Sequence, residues 1–281
     1  MQRLWDSLRL TRAINCGLAA AGVMVGAYMT WVEPTYLKPI LAALVTMFTC
    51  AAGNAMNDLL DIRADRMNHP ERVLVTGALS KQFAKLLAVG SATVALVLAV
   101  FVNLDMLVAT VAAMALLAAY NLGLKNLPVA GNVVVAILGG MTFLVGGMAV
   151  DPVLVWVLPG PLIPAVFAVF FHLVREIVKD AHDMEGDRVV GASSVPLTFG
   201  VATSMTVALV LFAVLTLLTI IPVAEGWFGA YYKIIAVYLV DLPLLAILIF
   251  VWGNPTVKML SIGAMALKVG MALGVVALLV A

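Results

Sequence analysis

Residues Asn54 to Asp65 read NAMNDLLDIRAD, and they close an apolar run that begins near residue 38. The polar positions Asn54, Asp58, Asp61 and Asp65 step by four, three and four. On a helix this spacing returns to one face, so the four side chains form a stripe roughly 16 Å long at ~1.5 Å per residue. The run that precedes them has the length of a membrane span, about 20 residues. A charge at the bilayer centre costs roughly 3 kcal/mol or more. Three aspartates at the end of such a segment therefore need cations, or a water-filled cavity, around them.

A second copy of the pattern lies far along the chain. Glu176, Asp180, Asp183 and Asp187 in EIVKDAHDMEGD repeat the four, three, four spacing, again at the end of an apolar run. One acidic cluster at a helix end reads as a solvated terminus; two with the same spacing read as two stripes facing one site. The repetition also points to an internal repeat in which the second and sixth spans are equivalent.

Composition fixes the setting. Of 281 residues 64% are hydrophobic and 11% charged, which places the chain among all-α polytopic membrane proteins and not among soluble domains. The net charge of +1 argues against a nucleic-acid partner, which would call for a basic stripe. Cys16 and Cys50 lie in or near apolar segments with no metal or CxxC spacing and read as packing residues. The N-terminal MQRLWDSLRLTR is followed by an apolar run with no small-residue cleavage site, so a retained first span is expected.

Nine apolar runs are expected to cross the membrane, near 13–32, 38–57, 83–103, 106–124, 129–150, 158–178, 201–223, 230–252 and 257–280, within one transmembrane domain over residues 1–281. With the N-terminus inside, the inner segments hold thirteen lysines and arginines, among them Arg12, Arg63, Arg72, Lys125, Arg175 and Lys179, against Lys38 and Lys233 outside. That asymmetry sets the orientation and puts both acidic stripes on the cytoplasmic side of the cell membrane. The inner segments 58–82 and 179–200 are long for connections, and function is expected there. Asp241 and Lys268 lie equally far from the turn at 253–255, which predicts an ion pair at equal depth between the last two spans.

Hard carboxylate oxygens in two groups suit magnesium, which keeps several waters and takes one or two carboxylates together with phosphate oxygens. Magnesium ligands are accordingly expected from Asn54, Asp58, Asp61 and Asp65 and from Asp180, Asp183 and Asp187, the six aspartates also being the catalytic set. Arg63, Arg72, Lys125, Arg175 and Lys179 supply cations on the same face. A diphosphate leaves only once its charge is neutralised. A substrate with a diphosphate head and a long hydrocarbon tail fits such a site, and loss of its head would leave an allylic cation for a nucleophile to capture away from water. His69, His172 and His182 share no metal spacing and read as packing or loop residues.

At these residues the chain resembles the UbiA superfamily of intramembrane prenyltransferases. Asn57, Asp58, Asp61 and Asp65 match its NDxxDxxxD motif, with Asn54 upstream, and Asp180, Asp183, Gly186 and Asp187 match DxxDxxGD. Arg12, Asn15, Pro70, Arg72, Gly77, Tyr120, Lys125 and Gly131-Asn132 agree further, while Arg72-Val73-Leu74-Val75-Thr76-Gly77 departs from the commoner RPLPSG. The resemblance implies nine helices around a central cavity, magnesium held with a prenyl diphosphate by both motifs, and a lateral opening to lipid. It also implies substrate contacts at Arg12, Asn15, Asn54, Arg63, Arg72, Tyr120, Lys125 and Lys179. Within the superfamily, RLTRAINC and REIVKDAHDMEGDRVVGASSVP are most similar to the enzymes that attach a second geranylgeranyl group to geranylgeranylglyceryl phosphate in archaeal-type lipids. The alternatives are an aromatic prenyltransferase of quinone biosynthesis and, more remotely, a secondary transporter, whose charges would lie at broken helices near the midplane.

Overall fold

In the computed structural model, which describes residues 1–30, 36–191 and 193–281, the apolar runs are helices. In chain order they are α1 (Gln2–Leu10), α2 (Ala13–Met29), α3 (Leu37–Leu60), α4 (Ile62–Asn68), α5 (Lys81–Val102), α6 (Leu104–Leu122), α7 (Ala130–Val150), α8 (Leu162–Val190), α9 (Val195–Phe199), α10 (Val201–Ala224), α11 (Ala230–Gly253) and α12 (Val257–Leu279). Local chemistry sets several boundaries. Ser80, Asn103 and Thr256 precede α5, α6 and α12, and their side-chain oxygens accept from the N–H groups of Phe83, Met106 and Met259 at 3.1, 2.7 and 3.4 Å.

Seven helices, α3, α5, α6, α7, α10, α11 and α12, are long and apolar enough to cross a membrane. The pair α1 and α2, bent by 58°, makes an eighth if counted as one span. The expected count of nine is not reached by length and apolarity alone. The remaining candidate, α8, has 29 residues, but Arg175, Glu176 and Lys179 interrupt its apolar run before the aspartates begin. The last two positions of the expected first span, 31 and 32, lie outside the described residues.

Two apolar clusters hold the bundle. One gathers α2, α3, α5, α6 and α7 around Val23, Val45, Ala95 and Met106. The other gathers α8, α10, α11 and α12 around Val174, Phe212, Leu244 and Leu267. Val25, Phe143, Ile163 and Tyr232 join them. The helices α2 and α7 cross with backbones in contact: a methyl group on Gly26 would fall on the Phe143 carbonyl, and one on Gly146 on the Val23 carbonyl. Small residues at such crossings permit the close approach that drives association in lipid. Leu86, Phe101, Val108, Leu217 and Phe250 point outward, as lipid-facing side chains should.

The segment after α4 folds back on the charged end of the bundle. Val73, Leu74 and Leu79 are buried with Leu10, and the Arg9 guanidinium donates to the Glu71 carbonyl at 3.0 Å.

The expected ion pair between Asp241 and Lys268 does not form. A methyl on Gly263 would sit 3.2 Å from Val251, and one on Gly270 3.4 Å from Leu244 Cγ. This register sets Asp241 opposite residue 273, five residues or ~7.5 Å from Lys268 along the helix. Asp241, at the end of a π-helical stretch Lys233–Asp241, instead accepts from the Thr219 hydroxyl at 2.6 Å.

Candidate active site

Both acidic rows reach one cavity of about 490 Å³. The second row is realised as the spacing predicts, because α8 continues unbroken to Val190. Glu176, Asp180, Asp183 and Asp187 all line the cavity. The first row is not one continuous stripe. Helix α3 stops at Leu60 and Asp61 takes φ −96° and ψ 11° before α4 begins. Asn54, Asp61 and Asp65 line the cavity, whereas Asp58 is buried behind it.

Each aspartate of the first row is held by a cation. Arg12 donates to Asp58 at 2.5 Å, and Arg72 bridges Asp58 and Asp65 at 3.2 and 2.6 Å. Lys125 pairs with Asp61. On the opposite wall Lys179 lies 3.5 Å from Asp183, and Arg175 pairs with Glu176. Amides complete the arrangement. Asn57 donates to Asp61 at 2.6 Å and to Asn121 at 3.2 Å, and Asn132 donates to Asp180 at 2.9 Å.

Beyond the apolar part of α8 and in α4, the carboxyls feel both burial and their partners. Burial pushes Asp65 up from the ordinary aspartate value, with Arg72 opposing. Burial likewise pushes Asp187 up to about 6 against the pull of Lys179. At Asp183 burial is outweighed by the nearby His69 and Lys179 and by the hydrogen-bonded His182, which hold the carboxyl well below its usual range.

Most expected residues come together here. Arg12, Asn15, Asn54, Arg72, Tyr120, Lys125 and Lys179 line the cavity with the acidic rows. Arg63 does not. It is exposed, because it stands two residues from both Asp61 and Asp65 and so faces away from them on α4. Asn54 turns its amide nitrogen to the Thr11 carbonyl at 2.9 Å and braces the break between α1 and α2. His182 lies 2.8 Å from Asp183 and His69 3.7 Å, and His172 lines the cavity, placements that the spacing of the three histidines does not announce. Asn57, Asn121 and Asn132 join the site as hydrogen-bond partners; Asn57 stands inside the first motif and Asn132 in the Gly131-Asn132 match, whereas no motif residue announces Asn121. Cys16 and Cys50 are free, as expected of packing residues.

Among the described residues no three carboxylate, imidazole or thiol groups are gathered to hold a metal on their own. The donors are nonetheless hard oxygens in two facing rows, the set suited to an ion that completes its shell with water and phosphate.

The profile of the UbiA prenyltransferase family matches residues 18–280. The chain belongs to this family. A digeranylgeranylglyceryl phosphate synthase from Methanopyrus kandleri is 34% identical over 276 residues, 97% of each chain. Among solved UbiA-family structures, a digeranylgeranylglyceryl phosphate synthase aligns over 100% of this chain and 98% of its own, with a TM-score of 0.76 and 31% identity. A UbiA homologue from Archaeoglobus fulgidus, bound to GPP and Mg2+, shares the fold at a TM-score of 0.63 and 19% identity, over 98% of this chain and 100% of that one. This prenyltransferase is thus a multi-pass membrane protein, and the transporter alternative falls away.

Proposed function

We propose that the chain, acting as one transmembrane unit over residues 1–281, transfers a geranylgeranyl group from geranylgeranyl diphosphate to the free hydroxyl of geranylgeranylglyceryl phosphate, forming the second ether bond of an archaeal-type lipid. The observation that carries this reading is the meeting of two carboxylate rows and their cations in one cavity that continues between apolar helices. Relatives named digeranylgeranylglyceryl phosphate synthase, aligned over nearly their whole length, support the choice of donor and acceptor. The rows lie at the end of the bundle that carries most of the lysine and arginine, which supports a site on the cytoplasmic side.

Asp61, Asp65, Asp180, Asp183 and Asp187 are the residues that would hold magnesium. When bound it neutralises charge on the departing diphosphate. The protein's own contribution is positional. Arg12, Arg72, Lys125 and Lys179 meet the diphosphate oxygens and draw the head to the charged end of the cavity. Asn132 and Asn57 fix the rotamers of Asp180 and Asp61. Apolar side chains such as Leu117, Val135, Leu138 and Phe167 hold the prenyl chain and keep water from the allylic carbon as its bond to oxygen breaks. The acceptor hydroxyl oxygen then bonds to that carbon and gives up its proton, so that the products are the ether, diphosphate and a proton.

An acceptor assay tests the reading. Purified enzyme with labelled geranylgeranyl diphosphate and magnesium should yield product with geranylgeranylglyceryl phosphate and none with 4-hydroxybenzoate or a naphthoate. The reverse outcome would assign the chain to quinone precursors.

A further inference from the structure

Six lysine and arginine side chains line the cavity: Arg12, Arg72, Lys125, Arg175, Lys179 and Lys268. The first five each pair with a carboxylate. Lys268 has no such partner among the described residues, and the only carboxylate near it in sequence expectation, Asp241, is taken by Thr219. It stands in the middle of α12, in the apolar part of the bundle. An ammonium held at that depth is costly, and among the described residues no opposite charge offsets the cost.

A second, independent observation falls at the same level. The methyl positions of Gly263 and Gly270 lie 3.6 Å from Val178 and 3.4 Å from Phe171, so α12 runs antiparallel to α8 with residue 268 opposite residue 173. His172 is therefore one residue, ~1.5 Å, from the level of Lys268. Its Nδ1 is buried without a hydrogen-bond partner among the described residues. Its ring rests against Gly139 of α7, where any side chain would overlap it. An unpaired cation and a histidine with an unpartnered ring nitrogen thus line one section of the cavity. The same register places Asp180 opposite residue 261, seven residues or ~10 Å nearer the charged end.

We propose that Lys268 and His172 form a second anion subsite, which takes the phosphate of the acceptor lipid. The inference rests on the prenyl-transfer reading above and adds where the acceptor's head is held. Donor diphosphate and acceptor phosphate repel one another, and a separate cation for the second anion relieves that repulsion. The five paired cations serve the carboxylate rows and the diphosphate. Lys268, displaced along the cavity toward the apolar interior, meets the other phosphate and leaves the glycerol hydroxyl between the two anions, where the allylic carbon lies.

The test is a KM comparison for the two substrates in wild type, Lys268→Met, Lys268→Arg and His172→Gln, with magnesium present. Lys268→Met should raise KM for geranylgeranylglyceryl phosphate at least about tenfold, the scale of a charge-assisted hydrogen bond. KM for geranylgeranyl diphosphate should stay within about twofold. His172→Gln should move the same constant in the same direction, and Lys268→Arg should recover most of the loss. An unchanged acceptor KM, or an equal rise for the donor, overturns the assignment. Wild type alone gives a check independent of any variant's folding: geranylgeranylglycerol, which lacks the phosphate, should show a KM at least about tenfold higher than the phosphorylated acceptor, and equal values also overturn it. A wild-type enzyme that uses aromatic acceptors and neither glycerol lipid removes the reading beneath the subsite, a result separable from failure of the subsite itself.

Discussion

Arg12 holds φ at 52° and Val129 at 70°, in a region that non-glycine residues seldom occupy and β-branched ones almost never. Such conformations persist where their surroundings over-determine them. Arg12 caps α2 and delivers its guanidinium to Asp58; Val129 opens α7 and, three residues on, Asn132 reaches Asp180. Asn132→Ala should therefore cut turnover by about 10- to 100-fold through loss of an orienting partner, with a raised magnesium requirement and an unchanged melting temperature. Unaltered magnesium dependence would count against Asp180 as a ligand. Asp58 and Asp187, each an aspartate of one of the two motifs, should separate. Asp58→Asn strips a buried anion from two arginines and should lower stability by about 3 kcal/mol or more, seen as a lower melting temperature in detergent. Asp187→Asn should leave melting unchanged while activity falls, and Glu71→Gln, at an exposed position, should alter neither melting nor activity. The spacing of the second row could be read directly because nothing interrupts its helix. The first row misled because Asp61 leaves helical geometry without a glycine or proline to announce it. Arg63 carries the right charge for the site, but its position on α4 turns it to the exposed face.

Between helices, the crossing of α2 and α7 is fixed by Gly22, Gly26 and Gly146, where backbone meets backbone or the side chain of Thr142. Gly26→Val and Gly146→Val have no room to adjust and should abolish monodisperse protein on size exclusion. Gly17→Ala, with nothing within 4 Å of the new methyl, should leave stability level or raised by roughly 0.5–1 kcal/mol. Similar behaviour of all three variants would mean that the crossing is looser than these contacts indicate. The sequence carried the lengths and order of these helices through their apolar runs. It did not carry register. Equal distances from a turn predicted a pairing of Asp241 with Lys268, but the packing of Val251 against Gly263 and Leu244 against Gly270 slides the two helices by five residues. Small residues set that offset through shape, which a charge count along the chain does not record.

Across the bundle, hydropathy alone identified a membrane protein, and the lysine and arginine bias supplied an orientation. The span count was harder, because Arg175, Glu176 and Lys179 leave α8 short of the uninterrupted apolar run that marks a span. Orientation is open to a direct check. With Cys16 and Cys50 replaced, a membrane-impermeant maleimide should reach Glu71→Cys only from the cytoplasmic side and Glu225→Cys only from the opposite side, both positions being exposed. Labelling of both from one side would break the topology. The pairing of Asp58, Asp61, Asp65 and Asp183 with basic side chains has a consequence for how the site fills. A magnesium ion arriving alone would find carboxylates whose charge is already answered, and a pyrophosphate arriving alone would find guanidinium and ammonium groups already engaged. Entering together, each would take up the partners that the other sets free. Their affinities should then be reciprocally linked, with the ion tightening a non-reactive donor analogue by the same factor as the analogue tightens the ion. Calorimetry of each in the presence and absence of the other measures both factors, and independence of the two would show that the resting pairs do not have to open.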